Sequence, residues 1–150
     1  MYKRQLRSHD LPAALTASHA AARDAADVLA PVEELHRLET VLQLWDAVPD
    51  AAARIGRDRI DVEMAAASAA SRSGLPSRAV SLARSAMAQA DPVRSARLTA
   101  AAAAYLIEEN QPEEAVMLAE QALEILDAQG PSPDRARLLA AHARSAVTLA

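Results

Sequence analysis

Apolar residues recur at intervals of three and four through most of this 150-residue chain. Val80, Ala83, Met87 and Ala90 form one such stripe. Val116, Ala119, Leu123 and Leu126 form a second, and Leu35, Leu38, Leu42 and Trp45 a third. This is the period of a helix buried on one face, whereas a half-buried strand alternates at two. Proline punctuates the pattern. Its ring fits the first turn of a helix, where the missing N–H is not needed, and disrupts the interior. Helices are therefore predicted to start near Pro12, Pro31, Asp58, Pro76, Pro92, Pro112 and Pro133. Gly74-Leu75-Pro76 and Asn110-Gln111-Pro112 place a residue tolerant of the left-handed conformation just before a proline, as helix ends require. Asp91-Pro92 and Ser132-Pro133 place a capping side chain before a first-turn proline. Residues 48–57, containing Pro49 and Gly56, read as the longest loop.

The helical segments repeat. Pro76, Ala79, Val80, Leu82, Ala83 and Ala86 coincide at an offset of 36 with Pro112, Ala115, Val116, Leu118, Ala119 and Ala122. Leu35, Leu38, Val41 and Leu42 form a weaker copy after Pro31. Ser95-Ala96-Arg97-Leu98 and Arg135-Ala136-Arg137-Leu138 correspond at an offset of 40. Two helices in roughly 35–45 residues is the signature of a helical-hairpin repeat. The predicted fold is all-α: a right-handed solenoid of antiparallel helix hairpins, with about seven or eight helices. One segment spans residues 1–150, with hairpins at 12–47, 58–90 and 92–129 and an unpaired helix at 133–149. Residues 2–8 read as the tail of an earlier helix. Ala146 to Ala150 end the chain in mid-helix without a cap, which reads as an incomplete array within a longer protein. Open repeat ends expose apolar faces and favour self-association.

Composition explains how such an array packs. Alanine supplies 39 residues, while Leu, Ile and Val supply 31 and Phe none. Alanine is the best helix former, and only small side chains fit where helices cross at about 8 Å. Ala67, Ala70, Ala79, Ala83 and Ala86 occupy such places in one repeat, and Ala103, Ala115, Ala119 and Ala122 in the next. Arginine outnumbers lysine fifteen to one, which with the alanine excess suggests a GC-rich bacterial genome. The basic N-terminus lacks the apolar stretch of a signal peptide, and no apolar run approaches the roughly 18 residues of a membrane span. A cytoplasmic location is expected.

The spacing resembles degenerate tetratricopeptide repeats: Gly74, Ala79 and Ala86 fall where that repeat prefers a turn glycine and two small residues, although its large aromatics are missing. A closer resemblance runs through His9-Asp10-Leu11-Pro12-Ala13-Ala14-Leu15-Thr16-Ala17-Ser18, Glu34-Leu35-His36-Arg37-Leu38-Glu39 and Leu42-Gln43-Leu44-Trp45-Asp46-Ala47-Val48-Pro49-Asp50-Ala51. These segments resemble the TPR-like region of large ATP-binding LuxR-type (MalT-like) transcriptional regulators. The resemblance implies a sensor or interaction region lying between an ATPase module and a DNA-binding helix-turn-helix. With glycine at 56, 74 and 130 alone, the chain has no phosphate-binding P-loop.

Chemistry is sparse. The absence of cysteine excludes disulfides and thiolate sites. Glu33 and His36 have the E-x-x-H spacing of di-iron bundles, but no second copy exists. His9, His19 and His142 have no ligand-spaced partner, and no Ser lies in a nucleophile elbow. The expectation is a non-enzyme without metal or cofactor. Trp45 reads as filler beside the 48–57 loop. Leu98 to Ser132 contains no basic residue, and acidic residues from Glu108 to Asp127 would be repelled by DNA phosphates.

By analogy with the resembled arrays, the first helix of each hairpin lines a concave groove. Groove positions are then Thr16, His19, Arg23, Asp27, Asp61, Met64, Ser68, Arg72, Arg97, Ala104, Glu108, Arg137 and Arg144. Arg23, Asp61, Arg72, Arg97, Arg137 and Arg144 are the candidate binding residues. Their modest Arg excess suits an acidic peptide, an anionic effector or a neighbouring domain. The expected role is protein interaction or ligand sensing in a LuxR-type regulator, with a free-standing adaptor as the alternative. Direct nucleic-acid or membrane contact is not expected.

Overall fold

The computed structural model describes the backbone of residues 2–150 and the side chains of residues 10–150. Among these residues all regular structure is helical: α1 (Tyr2–Asp27), α2 (Pro31–Leu44), a 3-10 turn (Trp45–Ala47), α3 (Ala51–Ile55), α4 (Arg59–Arg72), α5 (Pro76–Gln89), α6 (Pro92–Glu108), α7 (Pro112–Asp127) and α8 (Pro133–Leu149). The chain divides into two compact units, Met1–Ser73 and Gly74–Ala150, each with its own interior. The division falls between α4 and α5, inside the 58–90 segment read as one hairpin.

Local chemistry sets most of the boundaries. Proline occupies the first turn of α2, α5, α6, α7 and α8. Asp58 and Asp91 accept from the backbone N–H of Asp61 and Arg94, each at 2.9 Å, and Ser132 Oγ accepts from that of Arg135 at 3.1 Å. Such caps satisfy backbone donors that the first turn leaves unpaired. At the other ends, Gly74 and Asn110 take left-handed φ values of 73° and 62°, as their places before proline predict.

Two expectations are corrected. A single helix, α1, runs through Pro12 rather than beginning there, so residues 2–8 are not the tail of a separate element. Proline's fixed φ is itself helical, and Leu11 and Ala13-Ala14-Leu15 around it are good helix formers. The 48–57 stretch is not a continuous loop but contains α3. Three successive alanines favour that turn, buried Val48 and Ala51 anchor it, and Gly56 closes it at φ 69°.

In the first unit α1 packs along α2, α2 along α4, and α3 against α1. Its interior includes Leu15, Ala22, Leu35, Leu38, Val41, Val48 and Val62. In the second unit α6 packs against α5 and α7, and α8 against both α6 and α7. Its core gathers Ala96, Ala119, Ala122, Leu126 and Leu138, flanked by Val93, Ala100, Leu123 and Ile125. All nine alanines assigned to close helix crossings, from Ala67 to Ala122, are buried.

Candidate functional site

The first unit places three nitrogen-bearing side chains around one small cavity. His19, Ala22, Arg23 and Ala26, at positions i, i+3, i+4 and i+7, share one face of α1 and line it. Glu34 and Leu38 of α2, Arg57 and Ala65 complete the lining. The cavity measures about 60 Å³. The alanines make the space, because a side chain ending at Cβ leaves room between helices that a Leu would fill.

His19 is 7% exposed, and its Nε2 makes no hydrogen bond among the described residues. Burial is the largest influence on the ring and pushes its pKa below the ordinary value, and the charges of Arg57 and then Arg23 push it the same way. All three effects disfavour a second proton, so the imidazole is neutral near pH 7. Glu34 is also buried but is paired: Oε2 accepts from Arg72 at 2.7 Å. Arg23 and Arg57 take no acidic partner among the described residues.

The second unit carries a larger and more apolar groove of about 540 Å³. Ala104, Ile107 and Glu108 of α6 and Ala143, Arg144, Val147 and Thr148 of α8 line it. Val147 is 75% exposed.

The six candidate residues are therefore not equivalent. Arg23 lies at the first cavity and Arg144 at the second. Arg72 is held by Glu34, while Arg97 and Arg137 share Asp134 at 3.4 and 2.8 Å. Asp61 is exposed in the first turn of α4, where its backbone N–H donates to the Asp58 cap. Three of the arginines thus spend charge on intramolecular pairs, two of them, Arg72 with Glu34 and Arg97 with Asp134, between residues far apart in the sequence. Arg57 was missed: it lies between α3 and α4, and no helical spacing connects it to His19. The His19–Arg23 step is legible in the sequence, but its meeting with Arg57 is not.

Two of the other polar groups singled out by the sequence, Glu33 and His142, have partners within the chain. Glu33 binds Arg37 at 2.6 Å, and His36 is exposed. His142 Nε2 lies 3.3 Å from Glu120. Trp45 is half-buried at the start of the 3-10 turn. His9 lies outside the described side chains. Among the described residues no three His, Asp or Glu side chains gather as a metal site would require. No helix among them is long and apolar enough to cross a membrane.

The fold defines an all-helical protein of two compact units with short turns. No protein-family model, curated protein or solved structure matches the chain.

Proposed function

We propose that this chain is a non-catalytic helical-repeat segment that binds protein, forming the TPR-like interaction region of a LuxR-type transcriptional regulator. Its partners are neighbouring domains of that regulator or a separate protein. The observation that carries the reading is the 36-residue repeat and its shared packing. Ala79, Ala83 and Ala86 of α5 and Ala115, Ala119 and Ala122 of α7 are all buried, and both helices begin at proline. Corresponding positions thus do the same work in α5 and α7, as the repeated helices of stacked hairpins require. The packing of α8 against α6 as well as α7 fits that stacking and supports the solenoid reading.

The flanking coding sequence tests this assignment. A reading frame continuing into an ATPase module upstream and a helix-turn-helix downstream is the expected result. A self-contained short frame would instead favour a free-standing adaptor. Exposed Val147 and Leu149 on α8 offer an apolar surface for a partner or a second copy. Concentration-dependent sedimentation, lost in Val147→Glu, would identify self-association.

A further inference from the structure

We propose that the cavity between His19, Arg23 and Arg57 binds a phosphate group. The inference goes beyond the interaction reading and requires only the fold of the first unit. It begins with the His19 ring, which is 93% buried by difference from its 7% exposure and keeps Nε2 unpartnered. A buried polar atom without a partner costs about 1–3 kcal/mol, so native folds supply one. The neutral ring offers an N–H or a lone pair at Nε2, according to tautomer. Two guanidinium groups beside it make an incoming anion the favoured partner, with Nε2–H as donor.

Charge supports that choice. Arg23 and Arg57 have no acidic partner among the described residues, and both repel the protonated form of His19. The carboxylate in the lining, Glu34, is already bound by Arg72 at 2.7 Å. An anion would balance the two guanidinium charges that line the cavity beside the neutral ring. Guanidinium groups bind phosphate through forked, charge-assisted hydrogen bonds.

Size narrows the ligand. Each water-sized group needs about 10–15 Å³ of this kind of space, so a cavity of about 60 Å³ holds only a handful of such groups. A phosphate with its four oxygens fits that capacity; a nucleoside or a peptide segment does not. The anion is therefore free phosphate or the terminal phosphate of a larger molecule whose remainder stays outside.

The test titrates the full chain at constant ionic strength with inorganic phosphate, glycerol phosphate and acetate, following His19 and backbone amide resonances. The expected result is a saturable shift around His19, Arg23 and Arg57 with one or both phosphate species, and weaker binding of acetate. Arg23→Gln/Arg57→Gln should weaken phosphate binding by about tenfold or more, with helicity unchanged because both arginines are exposed. A preference for glycerol phosphate would identify a phosphomonoester ligand, and a preference for inorganic phosphate the free ion. A phosphate-dependent rise in the wild-type melting temperature gives a readout independent of variant folding. The proposal is overturned by no saturable shift and no rise with either phosphate, by equal affinity for acetate, or by undiminished binding in a folded double-glutamine variant. In the first case water alone fills the cavity.

Discussion

The two units solve the same packing problem with different materials. In Gly74–Ala150 four helices begin at proline, and small and aliphatic side chains fill the space between them. Its buried polar residues are Thr99 and Ser145, whose hydroxyls donate to backbone carbonyls one turn earlier at 3.2 and 3.0 Å. In Met1–Ser73 the elements run from the 26-residue α1 to the five-residue α3. His19, Glu34 and Glu63 enter its interior, with Arg72 answering Glu34 and Arg59 answering Glu63. Regular alanine spacing lets helices approach without polar groups between them. In the first unit Ala22, Ala26 and Ala65 instead leave a small gap that His19, Arg23 and Glu34 also line.

Cutting the aliphatic core gives the largest expected effect. Leu138→Ala should destabilise the second unit by about 2–5 kcal/mol, measured by urea unfolding, because Leu138 is fully buried. Enlarging a small site tests the reverse limit. Ala119→Leu should cost about 1–3 kcal/mol through overpacking, whereas Ala17→Leu on the exposed face of α1 should change little. Equal effects at the two positions would refute the close-crossing role of Ala119.

The polar interior of the first unit predicts smaller, charge-dependent changes. Arg72→Ala leaves Glu34 without its cation, but Arg72's side chain is 42% exposed and the pair is partly screened. The expected loss is about 1–2 kcal/mol, and Arg72→Ala with Glu34→Gln should recover part of it.

His19 should make the same unit acid-sensitive. Its pKa is lowered from the ordinary 6.5 by burial, Arg57 and Arg23, so the unfolded chain takes up this proton more readily than the folded one. Its contribution to stability is full above about pH 6.5 and is lost as the pH falls through the lowered folded value. Arg23, Arg57 and the Arg72-bound Glu34 are the charged groups lining the cavity with it. Trp45, the sole Trp, lies in this unit, so its fluorescence can follow urea unfolding between about pH 7.5 and pH 5. His19→Gln should flatten the dependence over that interval. The lowered pKa of Asp50, caused first by its hydrogen bond from Arg54, acts at lower pH.

The smallest effect lies at two matching helix ends. Ala30 N–H donates to Ala25 O and Leu29 N–H to Ala26 O, while Gln111 and Asn110 make the same pair of bonds to Leu106 and Ile107. Both are Schellman closures, but one places Leu29 at φ 55° and the other Asn110 at φ 62°. Leu29 is 81% exposed, so Leu29→Gly loses little packing and relieves left-handed strain. It should stabilise by about 0.5–1 kcal/mol in urea unfolding.

These differences mark how much of the molecule was legible in advance. The starts at Pro31, Pro76, Pro92, Pro112 and Pro133 and the caps at Asp91 and Ser132 follow from interactions within a turn or two of chain. Buried Ala79, Ala83, Ala86, Ala115, Ala119 and Ala122 follow from the helical period and the repeat. Leu29 escaped because its left-handed conformation comes from helix closure, with no glycine or asparagine to announce it. The short helix at Ala51–Ile55 escaped because Pro49 and Gly56 signalled a loop more strongly than three alanines signalled a helix.

The candidate site was less legible than the helices. Arg23 and His19 share a face by their four-residue spacing, but Arg57 reaches their cavity only through the folding of the first unit. Arg72 and Arg97 appear in sequence as available charge, yet the fold sets Glu34 and Asp134 against them, whereas Arg137 meets Asp134 three residues away on α8 itself. Helical period, proline position and side-chain size act locally, so the sequence by itself determined the helices from Pro31 onward, apart from α3, and their small-residue faces. The Arg72–Glu34 and Arg97–Asp134 pairs and the cavity depend on distances between residues far apart in the chain, and only the tertiary structure decided that these arginines are paired and that Arg57 joins Arg23 beside His19.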